Sequence, residues 1–186
     1  LLFRLDLQDG RSVALKCYPD LLSDSRERLG TEFAACQFLI ENGSRSVPAA
    51  VEKSDELNIG LYEWVAGAPV KQPGPAEVET ACAFVEDLWR FRYRAGAEQF
   101  GEASAACLCP GSIEAQVDGR LQALAASKHL FPELAAFLDG PFADLRAAVL
   151  EFTVPFRRDD LYDIPISRER QTLSPSDFGF HNALVR

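Results

Sequence analysis

Methionine is absent from the 186 residues, the first position included. That absence makes a part of a longer protein the expectation. No apolar run approaches the roughly 18–20 residues that span a membrane. The opening stretch "LLFRLDLQDG", its apolar residues interrupted by Arg4 and Asp6, does not read as a signal peptide. A membrane partner is therefore not expected. Basic residues are scarce: 19 Lys and Arg face 28 Asp and Glu, for a net charge of −9. Such a surface repels phosphate backbones and argues against nucleic acid as a partner. It is compatible with a cationic small molecule, and it is also the ordinary charge of an acidic protein. The cysteines are five, Cys17, Cys36, Cys82, Cys107 and Cys109, an odd number mostly in apolar or Ala-rich contexts. They do not form a disulfide framework, and a reducing cytoplasmic setting is expected. "CLCP" lacks a second pair at zinc spacing, so free thiols are the reading there. No repeat or low-complexity segment is present.

What is there is a globular composition, 47% hydrophobic and 25% charged. The length suits one compact domain or two small lobes. "LLFRLDL" and "RSVALKCYP" alternate apolar and polar residues around Asp9-Gly10, which predicts a β-hairpin ended by "PDLLSDS". Residues 25–41 place apolar side chains at 29, 33, 36, 39 and 40, which is helical spacing, and "ENGS" supplies the stop. "VPAAVEKSDELNIGLYEWVAG" reads as two strands around the turn "SDELN". The first part is thus β-β-α-β-β. "AGAPVKQPGPAE" is a Gly/Pro-rich linker. Helices follow in "PAEVETACAFVEDLWRFRYRAG", in "GSIEAQVDGRLQALAAS" and in "PELAAFLDGPFADLRAAVLEFTV", the last divided at Gly140-Pro141. The expected class is α+β: a strand-rich lobe over 1–68 and a helical lobe over 69–186.

Three local features carry chemistry. Lys16 of "VALK" lies on the second hairpin strand, with the small Ala14 on the same face. It is either a solvated strand lysine or a phosphate ligand. Glu32 of "GTEFAAC" sits midway along the helix, from which an acid can brace a strand lysine; Glu27 and Glu41 compete for that role, as does simple exposure. "LSPSDFGFHNALVR" separates Asp177 and Asn182 by four residues, with "ALV" as a short strand leaving the loop. The carboxylate can take up or orient a hydroxyl proton, and the amide oxygen can ligate Mg²⁺; alternatively both are turn residues. The order of the three features across a sheet-to-helix boundary favours the chemical reading.

"VALK", "TEFAACQFLIENG", "LYEWVAGAPV" and "LSPSDFGFHNAL" together resemble the aminoglycoside phosphotransferase family, in the kinase-like superfamily that also holds choline kinases. The resemblance runs over most of the chain and is most specific in the last motif. It is much weaker to eukaryotic protein kinases, because "H-R-D" is absent. It implies a two-lobed protein-kinase-like fold and an ATP- and Mg²⁺-dependent phosphotransferase, which moves the γ-phosphate to a hydroxyl of a small molecule. Lys16 would hold the α- and β-phosphates, braced by Glu32. "YEWV" would be the hinge, with the Glu63 carbonyl and the Val65 N–H binding adenine and Leu61 or Tyr62 lining its pocket. Asp177 would be the catalytic base or hydroxyl-orienting residue, and Asn182 the Mg²⁺ ligand. Pro175 stands where relatives carry a His, two residues before the catalytic Asp, and His181 precedes Asn182 with no assigned role. His129 reads as structural or surface. The family's first strand and its second metal-binding Asp are expected outside the chain. A catalytically inactive kinase-like module that binds nucleotide or a partner is the alternative; an unrelated α+β domain is the third reading.

Overall fold

The computed structural model describes residues 1–19, 26–158, 160–175 and 177–185. Around Asp9-Gly10 the chain folds back as the alternation predicts. Strands β1 (Leu2–Asp6) and β2 (Ser12–Cys17) pair antiparallel, with Leu2 opposite Lys16 and Asp6 opposite Ser12. Gly10 occupies the left-handed region (φ 84°), where a side chain would be strained. The Asp9 carboxylate accepts the Arg11 N–H at 3.0 Å and closes the turn. Of the predicted hairpin end, "PDLLSDS", residues 20–25 lie outside the described residues.

Helix α1 spans Arg28–Glu41. Its start is set by Glu27, whose carboxylate accepts the Gly30 N–H at 3.0 Å and satisfies an otherwise orphaned donor. Of the expected start, Ser25 is not among the described residues. At the other end Gly43 takes φ 91°, and the Gly43 and Ser44 N–H groups bond the Ile40 and Leu39 carbonyls. Ile40, expected on the apolar face, is exposed, and Phe38 is buried instead. The reason is that α1 buries two faces. Phe33 and Cys36 pack on Tyr62 of the sheet, while Phe38 and Leu39 pack with Leu88, Phe91 and Ala97.

Strands β3 (Ala50–Ser54) and β4 (Ile59–Glu63) follow, joined by a turn in which Asn58 takes φ 50°. The sheet order is β1-β2-β4-β3, all antiparallel, so the hairpin strand bearing Lys16 lies beside β4. The segment read as a linker contains a two-residue strand, β5 (Ala68–Pro69), paired with β6 (Leu184–Val185). Pairing with a strand more than a hundred residues away left no local signal in so short a run. Helix α2 (Pro75–Phe91) begins at a proline, with the Gly74 N–H held by Glu77 at 2.8 Å. It stops short of the expected Gly96, because the Arg94 and Ala97 N–H groups turn back onto the Phe91 and Arg94 carbonyls.

Two compact units result: Leu1–Gly101 with Thr172–Arg186, and Glu102–Gln171. The expected lobe boundary at 68/69 falls inside the first unit. The second unit is helical: α3 (Pro110–Ala125), α4 (Pro132–Asp139) and α5 (Pro141–Thr153), each opening on a proline. Gly140-Pro141 divides the last two as the sequence predicts. Within this unit the Glu114 carboxylate accepts hydrogen bonds from Tyr162 and Thr153, and Arg157 donates to both of its oxygens, all at 2.5–3.1 Å. The class is α+β, with a small antiparallel sheet and helices. Among the described residues, no helix is long and apolar enough to cross a membrane.

Candidate functional site

Strand alternation decides which side chains meet α1. On β2, Ala14 and Lys16 share a face; Gly60 and Tyr62 lie opposite them on β4. Phe33 and Cys36 of α1 pack on this face against Tyr62, Ala14 and Ala50. Glu32, one turn before Cys36 along α1, therefore points at Lys16. The Lys16 ammonium lies 2.7 Å from Glu32 Oε1 and 2.6 Å from Oε2. Glu32, rather than Glu27, is the partner; Glu27 caps the helix. Leu61 falls on the opposite face, paired with Leu15 and Glu52. Of the two candidates for the adenine pocket, Tyr62 is thus the one on the Lys16 side.

Tyr18, to which the sequence pattern assigned no role, extends the same face. Its ring centroid lies 5.1 Å from Lys16 Nζ, and its hydroxyl meets that of Tyr62 at 2.8 Å. The Tyr62 ring lies across Gly60: a Cβ there would come within 2.7 Å of it. Burial, chiefly, raises the Tyr18 phenol well above its ordinary value and pushes the Tyr62 phenol up to about 12. Burial also pushes the Cys36 thiol up to about 11, with the Glu32 charge adding to it. Both phenols thus stay protonated at neutral pH, and one hydroxyl donates to the other. The signal for Tyr18 was the period-2 rule, since it stands two residues from Lys16.

Beyond Tyr62 the chain enters Glu63–Gly67. With Val185, the residues Glu63, Trp64, Ala66 and Gly67 line an open depression of about 570 Å³. The Val65 N–H has no hydrogen-bond partner among the described residues. Gly67 approaches β6 so closely that a Cβ would lie 2.7 Å from the Val185 carbonyl oxygen. That approach lets β5 pair with β6, so the segment after β4 is tied to the strand leaving the Asp177 loop.

The loop itself is anchored by Leu173, which packs on the α1–α2 cluster, and by Phe178, whose ring lies 5.7 Å from Phe84 of α2. Ser176 lies outside the described residues. Asp177 takes φ 54°, a left-handed conformation that Asp tolerates better than most residues. The Asn182 amide nitrogen donates to the Asp177 carbonyl at 2.9 Å and to Oδ2 at 3.0 Å; His181 Nε2 lies 3.3 Å from Oδ1. His181 thereby gains a contact the sequence did not assign. An ionised carboxylate offers about four acceptor positions, so both oxygens retain capacity for a hydroxyl. Because its nitrogen side faces Asp177, the Asn182 Oδ1 accepts no hydrogen bond among the described residues and suits a hard cation. No group of three or more His, Cys, Asp or Glu placed to hold a metal occurs among the described residues, so a cation at Asn182 would need oxygens from its ligand as well.

The structure thus brings together Lys16, Glu32 and Tyr62 at one place, and Asp177 and Asn182 at another. The segment after β4 is tied to the Asp177 loop through the pairing of β5 with β6. No protein-family model, curated protein or solved structure matches the chain.

Proposed function

We propose that the chain belongs to an ATP-dependent small-molecule phosphotransferase with a protein-kinase-like, two-lobed fold, similar to aminoglycoside and choline kinases and acting in the cytoplasm. The observation that carries this reading is the two-oxygen grip of Glu32 on Lys16. A strand lysine held by a helix acid is a preset phosphate ligand, since its ammonium need not be ordered when the nucleotide arrives. The depression beside Glu63–Gly67 and the open Val65 N–H support an adenine edge read by the Glu63 carbonyl and the Val65 donor.

ATP with Mg²⁺ would supply the transferable phosphoryl group and neutralise its charge, with Asn182 Oδ1 among the oxygens on the metal. Lys16 would bind the α- and β-phosphates. Asp177 would orient the acceptor hydroxyl and take up its proton at a carboxylate oxygen, as the new O–P bond forms and the bond to the β-phosphate oxygen breaks. The acidic surface is compatible with a cationic acceptor.

A second reading, nucleotide binding without transfer, draws on the loop: both Asp177 oxygens already have partners in Asn182 and His181, as in a turn cap. Calorimetric titration with ATP and Mg²⁺, then ADP-release assays over aminoglycosides, choline-like amines, amino acids and sugars, separate the two. ATP binding with acceptor-dependent ADP release supports the kinase. ATP binding with no release over that panel supports the module. No ATP binding at millimolar concentration sinks both.

A further inference from the structure

Lys16 has a second support besides Glu32, centred on Tyr18, to which no phosphate or adenine contact is assigned. The Tyr18 backbone N–H donates to the Asn58 carbonyl at 3.0 Å, and the Asn58 amide donates to the Pro19 carbonyl at 2.5 Å. The β3–β4 turn therefore pins the chain on both sides of the Tyr18 side chain. From there the half-buried Tyr18 ring faces the Lys16 ammonium at 5.1 Å, within cation–π range. Its hydroxyl is held by Tyr62 at 2.8 Å, and Tyr62 is buried with its ring across Gly60. Each member is fixed by the next: Gly60 admits the Tyr62 ring, Tyr62 holds the Tyr18 hydroxyl, and Tyr18 confines the lysine.

We propose that Tyr18, locked by its hydroxyl contact with Tyr62, is a positioning residue for Lys16, holding the ammonium in place when a phosphate draws it away from Glu32. The physical need is plain. A lysine stem has four rotatable bonds, and a carboxylate alone fixes only its tip. The moment a ligand phosphate competes with Glu32, the ammonium is free to swing unless a second, uncharged surface confines it. An aromatic face does this without neutralising the charge that the phosphate needs. The acid and the ring thus act in turn. Glu32 sets the ammonium's direction in the empty site, and Tyr18 limits its excursion in the filled one.

This inference rests on the proposed nucleotide site for its purpose, yet its geometry is testable in the free protein. The rate of Lys16 acylation by an amine-selective succinimidyl ester is read by peptide mass spectrometry in wild type, Tyr18→Phe, Tyr18→Leu and Tyr62→Phe, with Lys53 of the same sheet as internal control. A confined ammonium reacts slowly. The expected order is wild type, then the two Phe variants, then Tyr18→Leu, with the Leu variant about 3- to 10-fold faster and Lys53 unchanged. A Tyr18→Phe rate above wild type but below Tyr18→Leu identifies the ring as the confining surface and the hydroxyl contact as its lock. Equal Lys16 rates in wild type and Tyr18→Leu overturn the proposal. If Tyr18→Leu does not fold, wild-type rates in both Phe variants overturn it instead. Titration with ATP and Mg²⁺ is run on the same proteins. An ordered acylation series with no ATP binding in the wild type would leave the positioning role standing and remove the nucleotide reading.

Discussion

Glu32 of α1 grips the Lys16 ammonium with both carboxylate oxygens, at 2.7 and 2.6 Å, across the gap between helix and sheet. The two side chains are 40% and 37% exposed, and an ion pair that open adds little to stability. In the proposed function its role is to orient the ammonium. Glu32→Gln is expected to shift the melting temperature hardly at all while weakening ATP binding roughly tenfold, equivalent to about 1.4 kcal/mol. Calorimetry beside thermal unfolding reads both quantities. A large loss of stability with unchanged ATP affinity would make the pair structural.

Asp177→Asn separates the loop's fold from its chemistry. Asn tolerates the left-handed φ of 54° as Asp does, so the loop keeps its backbone. What is lost is the carboxylate that the proposed function makes the proton acceptor. Phosphoryl transfer should fall about 10²- to 10⁴-fold, with ATP affinity nearly unchanged. Unaltered turnover would take Asp177 out of the mechanism.

Gly67 is expected to be the least replaceable residue of the segment Glu63–Gly67. A Cβ there meets the Val185 carbonyl oxygen at 2.7 Å, a backbone atom that cannot step aside without parting β5 from β6. Gly67→Ala should cost about 1–3 kcal/mol, the range for forcing atoms into packed space. Gly119, inside α3 with nothing within 4 Å of its Cβ position, is the contrast. Gly119→Ala should gain about 1 kcal/mol from helix propensity. Denaturant unfolding of the two variants should move in opposite directions.

Acid should loosen the helical unit through Glu114. Hydrogen bonds from Tyr162, Arg157 and Thr153 hold its carboxyl below the ordinary 4.5, the Tyr162 contact first. A depressed carboxyl contributes stability above its unfolded value and loses it as pH falls through the folded one. Below about pH 4.5, then, the wild type should lose stability more steeply than Glu114→Gln. Parallel acid profiles, followed by circular dichroism, would contradict the assignment.

Thiol reactivity should sort the cysteines by environment. Cys36 is buried against Phe33 and Tyr62, and burial pushes its thiol up to about 11, so little thiolate forms at pH 8. Cys82 and Cys107 are exposed. An aromatic disulfide reagent should consume those two first, with Cys36 reacting only on unfolding. Early labelling of Cys36 would show that the α1–sheet contact opens readily.

The hairpin, α1, the β3–β4 pair and the Gly140-Pro141 break were legible because each rests on neighbours in sequence: alternation, helical spacing, or a turn residue. Ile40 was misjudged because helical spacing assumes one buried face, whereas α1 packs on the sheet and on the α2 cluster at once. β5 escaped notice for a related reason. Two residues, one a proline, carry no strand pattern, and their partner lies at the far end of the chain. Tyr18 was within reach of the period-2 rule and marks the nearest miss.

By itself the sequence determined which residue types were available and where along local elements they stand: a lysine on a strand, an acid on a helix, an Asp and an Asn in one tight loop. Only the tertiary structure decided which of three acids meets the lysine, which of Leu61 and Tyr62 shares its face, and that His181 and Asn182 both turn onto Asp177. Pairings across the fold depend on strand register and helix rotation. One residue of register, or about a hundred degrees of helix rotation, exchanges one side chain for another while leaving every local pattern intact.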